Sequence, residues 1–228
     1  MPAYRLITFD LDDTLWDIEA VVAEAERRLH HWFAVHHPAV AARFSATDLR
    51  RLRDEAPRLH PELGEDMTAL RKSSLTRALE SVGYDGVHAE AAFAEFWRHR
   101  HDLDFFPDAI PALDALRSRY RLGAITNGNA DIALVGLDQH FDFSLIAAEF
   151  GAYKPEPSIF LEACRRAGVA PHEALHVGDD PLLDVVGAKR AGMAAAWVNR
   201  RGASWAQVGH APDHEFTDLA ALATALLR

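Results

Sequence analysis

The sequence predicts an α/β protein whose parallel-sheet core is interrupted by an all-helical insert. In the second half of the chain, short apolar segments alternate with helical segments of about 10–15 residues, which is the pattern of βαβ units. One more apolar segment, 6–9, lies near the start and precedes a long stretch with helical periodicity and no convincing strand. Because the sheet needs that first strand, we expect the helical stretch to interrupt one domain rather than to precede another.

The insert is expected to span 17–104, between core segments 1–16 and 105–228. Its four predicted helices cover 18–35, 45–55, 66–82 and 88–101, with Ser45 as the N-cap of the second. Breaks are predicted at Pro38, at 57–64 and at 83–86.

The core elements follow from the same patterns. A near-continuous apolar run bounded by polar residues is typical of a buried parallel strand. Strands are predicted at 6–9, 122–126, 143–147, 174–177 and 194–198. Helices are predicted at 109–118, 132–139, 157–167, 181–191 and from Leu219 onward.

Composition and charge exclude several classes of protein. Of the 228 residues 49% are apolar, which excludes disorder as the main state, and the net charge of −10 argues against nucleic-acid binding through the overall field. Cys164 is the only cysteine, so no internal disulfide can form, as expected in a reducing compartment. No apolar run approaches the ~20 residues that cross a bilayer, and the first strand follows too closely on Met1 for a signal peptide. We expect a cytoplasmic protein without a membrane or nucleic-acid partner; its oligomeric state is left open.

Two acidic residues, Asp10 and Asp12, follow the first predicted strand. Residues two apart on a strand face the same side, about 6.6 Å apart along the chain. Two such carboxylates repel and need a cation or a shared proton. Beside a metal, one carboxylate can act as a nucleophile while its neighbour carries a proton. The alternative is an acidic turn, in which Asp is common.

Three further motifs follow later predicted strands. Thr126 and Asn127 precede a glycine and could form an anion-binding turn; Lys154, one of three lysines, precedes a proline that favours extended backbone; Asp179 ends a strand and Asp184 lies early in the next helix. Each alone could be an ordinary turn, a solvated lysine or a helix cap. All of them follow strands of one sheet, so they indicate one site at its carboxyl edge, where oxygen ligands suit Mg²⁺.

With these four motifs in this order, the chain resembles the haloacid dehalogenase-like hydrolase superfamily over essentially its whole length. Segments 9–15, 126–128 and 154–155 resemble the first three family motifs, 178–179 with Asp184 resembles the fourth, and the insert is similar to the family's helical cap. The resemblance implies a Rossmann-like core with an inserted cap. It also implies a Mg²⁺-dependent phosphatase that hydrolyses a small-molecule phosphomonoester.

The resemblance further implies roles for the acidic residues. Asp10 would be the nucleophile and a metal ligand. Asp12 would act as general acid and then general base, with its backbone carbonyl on the metal. Asp179 would be the remaining carboxylate ligand, and Asp184 a partner behind the ligands or through water. Asp180 is expected to cap a helix, and which of Asp180 and Asp184 lies nearer the metal is left open.

For the phosphate, the resemblance implies that Thr126 and Lys154 bind the phosphoryl oxygens, with Asn127 contributing its amide. Segments 126–130 and 176–180 are similar to a bacterial branch that includes flavin mononucleotide and riboflavin-precursor phosphatases, and 37–38 and 49–53 are similar to the early cap of that branch. A riboflavin-pathway phosphate is therefore the expected substrate. Cap residues choose the substrate in this family, and the sequence does not show which ones.

Several alternatives remain open. A 2-haloacid dehalogenase also uses an Asp nucleophile, but it needs neither an acid two residues on nor Mg²⁺, so Asp12 and Asp179 argue against it. A phosphosugar mutase keeps every core motif. Phosphonate cleavage would need a cap lysine, for which Lys72 is the candidate. A non-catalytic binding protein would tolerate the loss of Asp10 or Lys154, and both are present.

Other polar residues of the insert have plain structural interpretations. The histidines at 30–31, 36–37, 99 and 101 could suggest a zinc site, but adjacent histidines point to different helix faces, so exposed helix surface is the expectation. Arg71, Arg98 and Arg100 could steer an anion, although solvated helix faces are the expectation. Near the first motif, Trp16 and Asp17 could line an entrance, or Trp16 could belong to the core.

Overall fold

The computed structural model describes residues 4–206 and 209–228. By its internal contacts the chain divides into two compact units. The core unit comprises Met1–Asp17 and Asp104–Arg228, and the helical unit comprises Ile18–Leu103. In the described ranges, no helix has both the length and the apolar character needed to cross a membrane.

The core unit is built on a parallel sheet that has six strands among the described residues, in the order β3-β2-β1-β4-β5-β6. The strands are β1 (Leu6–Phe9), β2 (Arg121–Thr126), β3 (Phe143–Ile146), β4 (Ala174–Gly178), β5 (Ala194–Val198) and β6 (His214–Phe216). All residues of β1 and β4 are buried, as expected for strands covered on both faces. The predicted α/β fold class is confirmed.

The register places the ends of three strands side by side. Phe9, the last residue of β1, lies opposite Ala124 of β2 and Val177 of β4. The residues that follow these strands therefore leave the sheet at one edge, which is where open α/β sheets bind ligands. In this way the topology joins the first motif to motifs found more than a hundred residues later.

The helical unit consists of α1 (Ile18–His36), α2 (Pro38–Arg43), α3 (Ala46–Leu59), α4 (Met67–Glu80) and α5 (Ala89–Arg100). Ser45 forms the predicted N-cap of α3, since its side chain accepts from Asp48 N in a capping box. The chain breaks close to both predicted places, since α1 ends at His36 and α3 ends at Leu59. Pro38 begins α2, where its missing N–H costs nothing, and α3 continues through Pro57 and ends two residues later.

The core helices are α6 (Ala109–Arg117), α7 (Ala147–Phe150), α8 (Pro157–Ala167), α9 (Gly187–Arg190) and α10 (Leu219–Leu227). The helix predicted at 132–139 is wrong: this segment forms successive turns, with Gly136 at φ +78°, a left-handed conformation that ends a helix. The helix predicted at 181–191 is a π-helical turn, Pro181–Val186, followed by α9. The sequence did not predict β6, a short and partly exposed edge strand.

Each unit has its own hydrophobic core. In the core unit, Trp197, Phe160 and Ile125 belong to a buried cluster formed by the sheet and its helices. In the helical unit, Phe33, Leu79 and Phe96 belong to a second cluster. These cores hold the backbones that present the polar side chains described next.

Candidate active site

A buried ammonium group joins the first and fourth motifs. Lys154 Nζ lies 2.5 Å from Asp10 Oδ1 and 2.6 Å from Asp184 Oδ1, and the Lys154 side chain is 2% exposed. Asn127 holds the lysine backbone: its side-chain amide donates to Lys154 O at 2.9 Å, and its carbonyl oxygen accepts from Lys154 N at 2.8 Å. The Asn127 side chain thus positions Lys154.

Three carboxylates meet at this point. Oxygens of Asp10, Asp179 and Asp184 all lie within 4.8 Å of one another, a grouping that could hold a metal ion. The hydroxyl of Thr14 lies 3.5 Å from Asp10 Oδ2 and 3.3 Å from Asp179 Oδ1. Asp184, expected behind the metal ligands, therefore lies in the same cluster as the two carboxylates expected to be ligands.

The charges of the cluster do not balance without a further cation. Burial raises the pKa of Asp10 well above its usual range, and Asp184 and Asp179 add to the effect against the opposing Lys154. Burial, then the charges of Asp184 and Asp13, raise the pKa of Asp179 to about 7. Although burial opposes it, the charge of Lys154 and a hydrogen bond from His176 hold the pKa of Asp184 below its usual range.

This excess of negative charge indicates whether the residues suit a metal ion. A buried carboxylate takes up a proton when its charge is not compensated. A divalent cation among these oxygens would supply the compensation, and an all-oxygen ligand set suits Mg²⁺ rather than a softer metal. The residues present therefore fit a magnesium ion.

Asp12 lies in a different environment from Asp10. Its Oδ1 accepts a hydrogen bond of 2.8 Å from the indole N–H of Trp16. Its Oδ2 lies so close to Gly128 that a Cβ added there would be 2.4 Å away, so any other residue at this position would displace the Asp12 carboxylate. The Asp12 side chain is half-buried and does not belong to the three-carboxylate cluster.

Thr126 ends β2 and is buried. Its hydroxyl oxygen accepts from Gly128 N at 2.9 Å. Because this contact uses a lone pair, the hydroxyl hydrogen can still be donated to a ligand oxygen. The turn after β2 thus places a donor at the same sheet edge as Lys154.

Asp184 is anchored on three sides. Besides Lys154, it accepts from Asp180 N at 2.9 Å on Oδ2, and its Oδ1 lies 3.1 Å from His176 Nε2. A Cβ added at Gly178 would be 2.2 Å from Asp184 Cγ, so glycine is needed for this packing. Asp180 caps the following turn, as predicted, by accepting from Leu182 N and Leu183 N. It is Asp184, and not Asp180, that joins the cluster.

A cavity of about 330 Å³ opens beside Asp179. Its lining includes Asp13 and Asp17 after β1, and Asn199 and Arg200 after β5. Arg200 is held in place by Asp108, at 2.9 Å and 3.1 Å, and by the carbonyl of Thr14. Within the core unit, this cavity therefore borders the carboxylate cluster at Asp179.

Sequence reasoning gave no role to several residues that shape this site. These residues are His176, Thr14 and Thr8. One signal could have found two of them: Thr8 and His176 are polar residues inside otherwise apolar strands, and the register places them opposite each other. Trp16 is fully buried, and its indole fixes Asp12.

The structure also places the histidines, the arginines and the lysine that the sequence singles out in the helical unit. Within residues 4–206 and 209–228, the grouping of three potential metal ligands is that of Asp10, Asp179 and Asp184. The expectation of exposed helix surface is wrong for His37 and His99, which are 8% and 7% exposed. The expectation of solvated faces is wrong for Arg71 and Arg100, which are 6% and 2% exposed, since Arg71 pairs with buried Glu26. Lys72 pairs with Glu90 on the surface.

Comparisons with known proteins agree with these motifs. The model of the haloacid dehalogenase-like hydrolases matches residues 4–192. The chain is 37% identical over 196 residues to the 5-amino-6-(5-phospho-D-ribitylamino)uracil phosphatase YigB of Escherichia coli (strain K12), covering 84% of this chain and 82% of that protein. It is 33% identical over 222 residues to the phosphoserine phosphatase of Thermus thermophilus, covering 86% of this chain and 89% of that protein.

The fold is also found among solved structures. The crystal structure of 2-haloacid dehalogenase from Pseudomonas syringae pv. Tomato DC3000 matches with a TM-score of 0.89 and 40% identity, covering 99% of both chains. The family match over 4–192 and the identity to a relative covered over 82% of its length confirm the resemblance drawn from the four motifs. The chain belongs to the haloacid dehalogenase-like hydrolases.

Proposed function

We propose that the chain is a Mg²⁺-dependent phosphatase of small-molecule phosphomonoesters that works through an aspartyl phosphate on Asp10. The observation that carries the proposal is the cluster of Asp10, Asp179 and Asp184 around the Lys154 ammonium, at the carboxyl ends of adjacent strands. A nucleophilic carboxylate next to a cation site and a fixed ammonium is the arrangement that attack on an anionic phosphate requires.

The metal would be held by carboxylates of Asp10 and Asp179 and by the backbone carbonyl of Asp12, with Asp184 bound directly or through water. When bound, the ion neutralises charge on the phosphate and on the carboxylates around it. The other steps of the proposed reaction are carried out by side chains of the protein.

Lys154 and the hydroxyl of Thr126 orient the phosphoryl group. An oxygen of Asp10 attacks the phosphorus in line, the bond from phosphorus to the leaving oxygen breaks, and the Asp12 carboxyl gives its proton to that oxygen. The Asp12 carboxylate then takes a proton from a water molecule, whose oxygen attacks the phosphorus. Phosphate leaves, and Asp10 and Asp12 return to their starting states. The Trp16 N–H keeps Asp12 outside the cluster throughout.

For the substrate, we propose a phosphate of the riboflavin pathway, either flavin mononucleotide or a phosphorylated precursor. The support is the 37% identity to a phosphatase of 5-amino-6-(5-phospho-D-ribitylamino)uracil, which extends over 84% of this chain and so includes most of the helical unit. We also propose a cytoplasmic location, which suits the buried single thiol of Cys164, whose pKa burial raises to about 11.

A 2-haloacid dehalogenase is the rival function, because a solved structure 40% identical to this chain carries that name. Displacement of halide by an Asp nucleophile uses neither a proton carrier nor a cation. Here Asp12 is held by a dedicated N–H donor, and the carboxylate cluster has uncompensated charge. These two observations favour phosphatase over dehalogenase. A phosphosugar mutase would keep both features and is separated by its product.

A substrate screen tests the proposal. Purified protein should release inorganic phosphate from phosphomonoesters with Mg²⁺, lose this activity with a chelator, and recover it when Mg²⁺ is returned in excess. Preference for flavin mononucleotide or the ribitylamino-uracil phosphate would support the proposed substrate class. Chelator-resistant release of halide from a 2-haloacid would contradict the phosphatase assignment, and isomerisation of a sugar 1-phosphate without phosphate release would indicate the mutase.

The Asp10→Asn variant should fold and show no measurable turnover, because the amide cannot attack phosphorus. Circular dichroism and the thermal midpoint check the fold, and phosphate release checks the activity. Asp138→Asn, which changes an exposed aspartate of the same unit, is the matched control and should keep wild-type activity. Substantial residual turnover in Asp10→Asn would contradict the assignment of Asp10 as the nucleophile.

The Asp12→Asn variant should lower kcat for alkyl phosphates by about 10²–10⁴-fold, the usual contribution of a general acid–base group. With p-nitrophenyl phosphate, whose leaving group needs no proton, the first step should remain fast while hydrolysis of the phosphoenzyme stays slow. Rapid mixing should then show a burst of p-nitrophenolate equal to the enzyme concentration. Equal losses for both substrates with no burst would argue against the proton-carrying role of Asp12.

Mg²⁺ affinity should depend on pH through Asp179. The pKa of this carboxyl rises from 3.8 to about 7 on folding, so between these values the folded metal-free protein holds a proton that the unfolded chain has lost. Stability without metal therefore falls as pH rises through this window, and Mg²⁺ binding strengthens as the proton leaves. Thermal midpoints in chelator from pH 4.5 to 8 should fall less steeply for Asp179→Asn, while Asp138→Asn should follow the wild type.

A further inference from the structure

A buried histidine continues the site away from the cluster. His176 lies on β4, and its side chain is 0% exposed. Its Nδ1 lies 2.8 Å from Thr8 Oγ1 on the neighbouring strand β1, and its Nε2 lies 3.1 Å from Asp184 Oδ1. A line of polar contacts thus runs from Thr8 through His176 and Asp184 to Lys154 and Asp10.

The partners fix which nitrogen of His176 carries the hydrogen. Asp184 accepts from the Lys154 ammonium on Oδ1 and from Asp180 N on Oδ2, which is the pattern of a carboxylate that can only accept. Nε2 must therefore carry the hydrogen that Asp184 accepts, and Nδ1 offers a lone pair. The Thr8 hydroxyl donates to that lone pair, and Phe160 packs against the ring at a centroid distance of 5.0 Å. Burial also disfavours the charged imidazolium.

The oxygens of Asp184 are then occupied unequally. Oδ1 accepts from both Lys154 Nζ and His176 Nε2, which uses its two lone pairs in the plane of the carboxylate. Oδ2 accepts from Asp180 N and keeps one lone pair. Since both lone pairs of Oδ1 are used, Oδ2 is the Asp184 oxygen with a lone pair left for a cation shared with Asp10 and Asp179.

We propose that His176, held by Thr8, is a positioning residue that fixes the rotation of the Asp184 carboxylate, so that Oδ1 holds Lys154 while Oδ2 keeps a lone pair for the divalent cation. The inference rests on the proposed function for the presence of that cation. Because the His176 side chain is fully buried, it touches no substrate, and its effect passes through Asp184. Groups that orient metal ligands in this way commonly change metal affinity by about 10–100-fold when removed.

Direct titration of Mg²⁺ by calorimetry tests the inference without relying on turnover. His176→Leu, which removes both hydrogen bonds at similar size, should weaken Mg²⁺ binding by about 10–100-fold. His176→Gln, which keeps an N–H donor for Asp184, should lie within about threefold of the wild type, on the same scale. Thr8→Val should weaken binding and Thr8→Ser should restore it. His140→Leu, which removes another buried core histidine whose ion-pair partner is Asp114, is the control for loss of a buried ring.

The nitrogen spectrum supplies the second readout. In the wild type, ¹⁵N resonances missing from the His176→Gln spectrum should show a protonated Nε2 and an unprotonated Nδ1, and Thr8→Val should shift the Nδ1 resonance. Unchanged Mg²⁺ affinity in a folded His176→Leu protein would overturn the inference. So would a wild-type spectrum with the hydrogen on Nδ1 or on both nitrogens.

The proposed function and this inference fail in different ways. Absence of Mg²⁺ binding by the wild-type protein would remove both the magnesium chemistry and the cation half of the inference. Wild-type Mg²⁺ binding with equal affinity in His176→Leu would overturn the inference alone. Turnover measured across Mg²⁺ concentrations separates the proposed function from this inference further. His176→Leu should recover most of its kcat when Mg²⁺ is saturating.

Discussion

The structure of the site depends on the pairing of one buried ammonium with carboxylates that outnumber it. An uncompensated charge in a protein interior is costly, and a buried ion pair is favourable only when further hydrogen bonds satisfy both partners. Lys154 contacts Asp10 and Asp184 at once, and Asp184 has additional donors in Asp180 N and His176. Asp179 has a weaker set of partners, and burial raises its pKa. The cluster is thus held together and left short of positive charge, which is the condition for binding a cation.

Only the topology of the sheet allows this pairing. Lys154 and Asp10 are 144 residues apart in the sequence, and Lys154 and Asp184 are 30 residues apart. Because β1 lies between β2 and β4, the segments that leave these strands share one edge. Asn127, which follows β2, then holds the backbone of Lys154 through both its amide atoms. The insertion of a helical unit after β1 separates the motifs in sequence without separating them in space.

Much of the architecture could be predicted because burial on both faces imposes apolar runs. The bounds of β1 and β5 are those predicted, whereas β6 was missed because an edge strand that is only partly covered lacks such a run. The helix predicted at 132–139 failed at Gly136, where a left-handed residue turns the chain and composition gave little warning.

The motifs likewise predicted which residue types would meet at the site, but not how their hydrogen bonds divide. That the Asn127 side chain serves the lysine, and that His176 serves Asp184, depends on rotamers and on pairing across strands. A linear pattern gives the order of the elements and the side of the sheet. It does not give the direction of a carboxylate plane, which in this site determines which oxygen remains free for a cation.

In the proposed reaction, Asp10 and Asp12, two identical residues two positions apart, have opposite tasks. A nucleophile has to be ionised when it meets the phosphate, so it belongs beside the ammonium and the proposed cation, where Asp10 lies. A proton carrier has to gain and lose a proton in each cycle, so it must stay outside that cationic field. The Trp16 N–H and the space left by Gly128 hold Asp12 there. The difference arises from the turn after β1, which directs one carboxylate into the cluster and the other toward the end of β2.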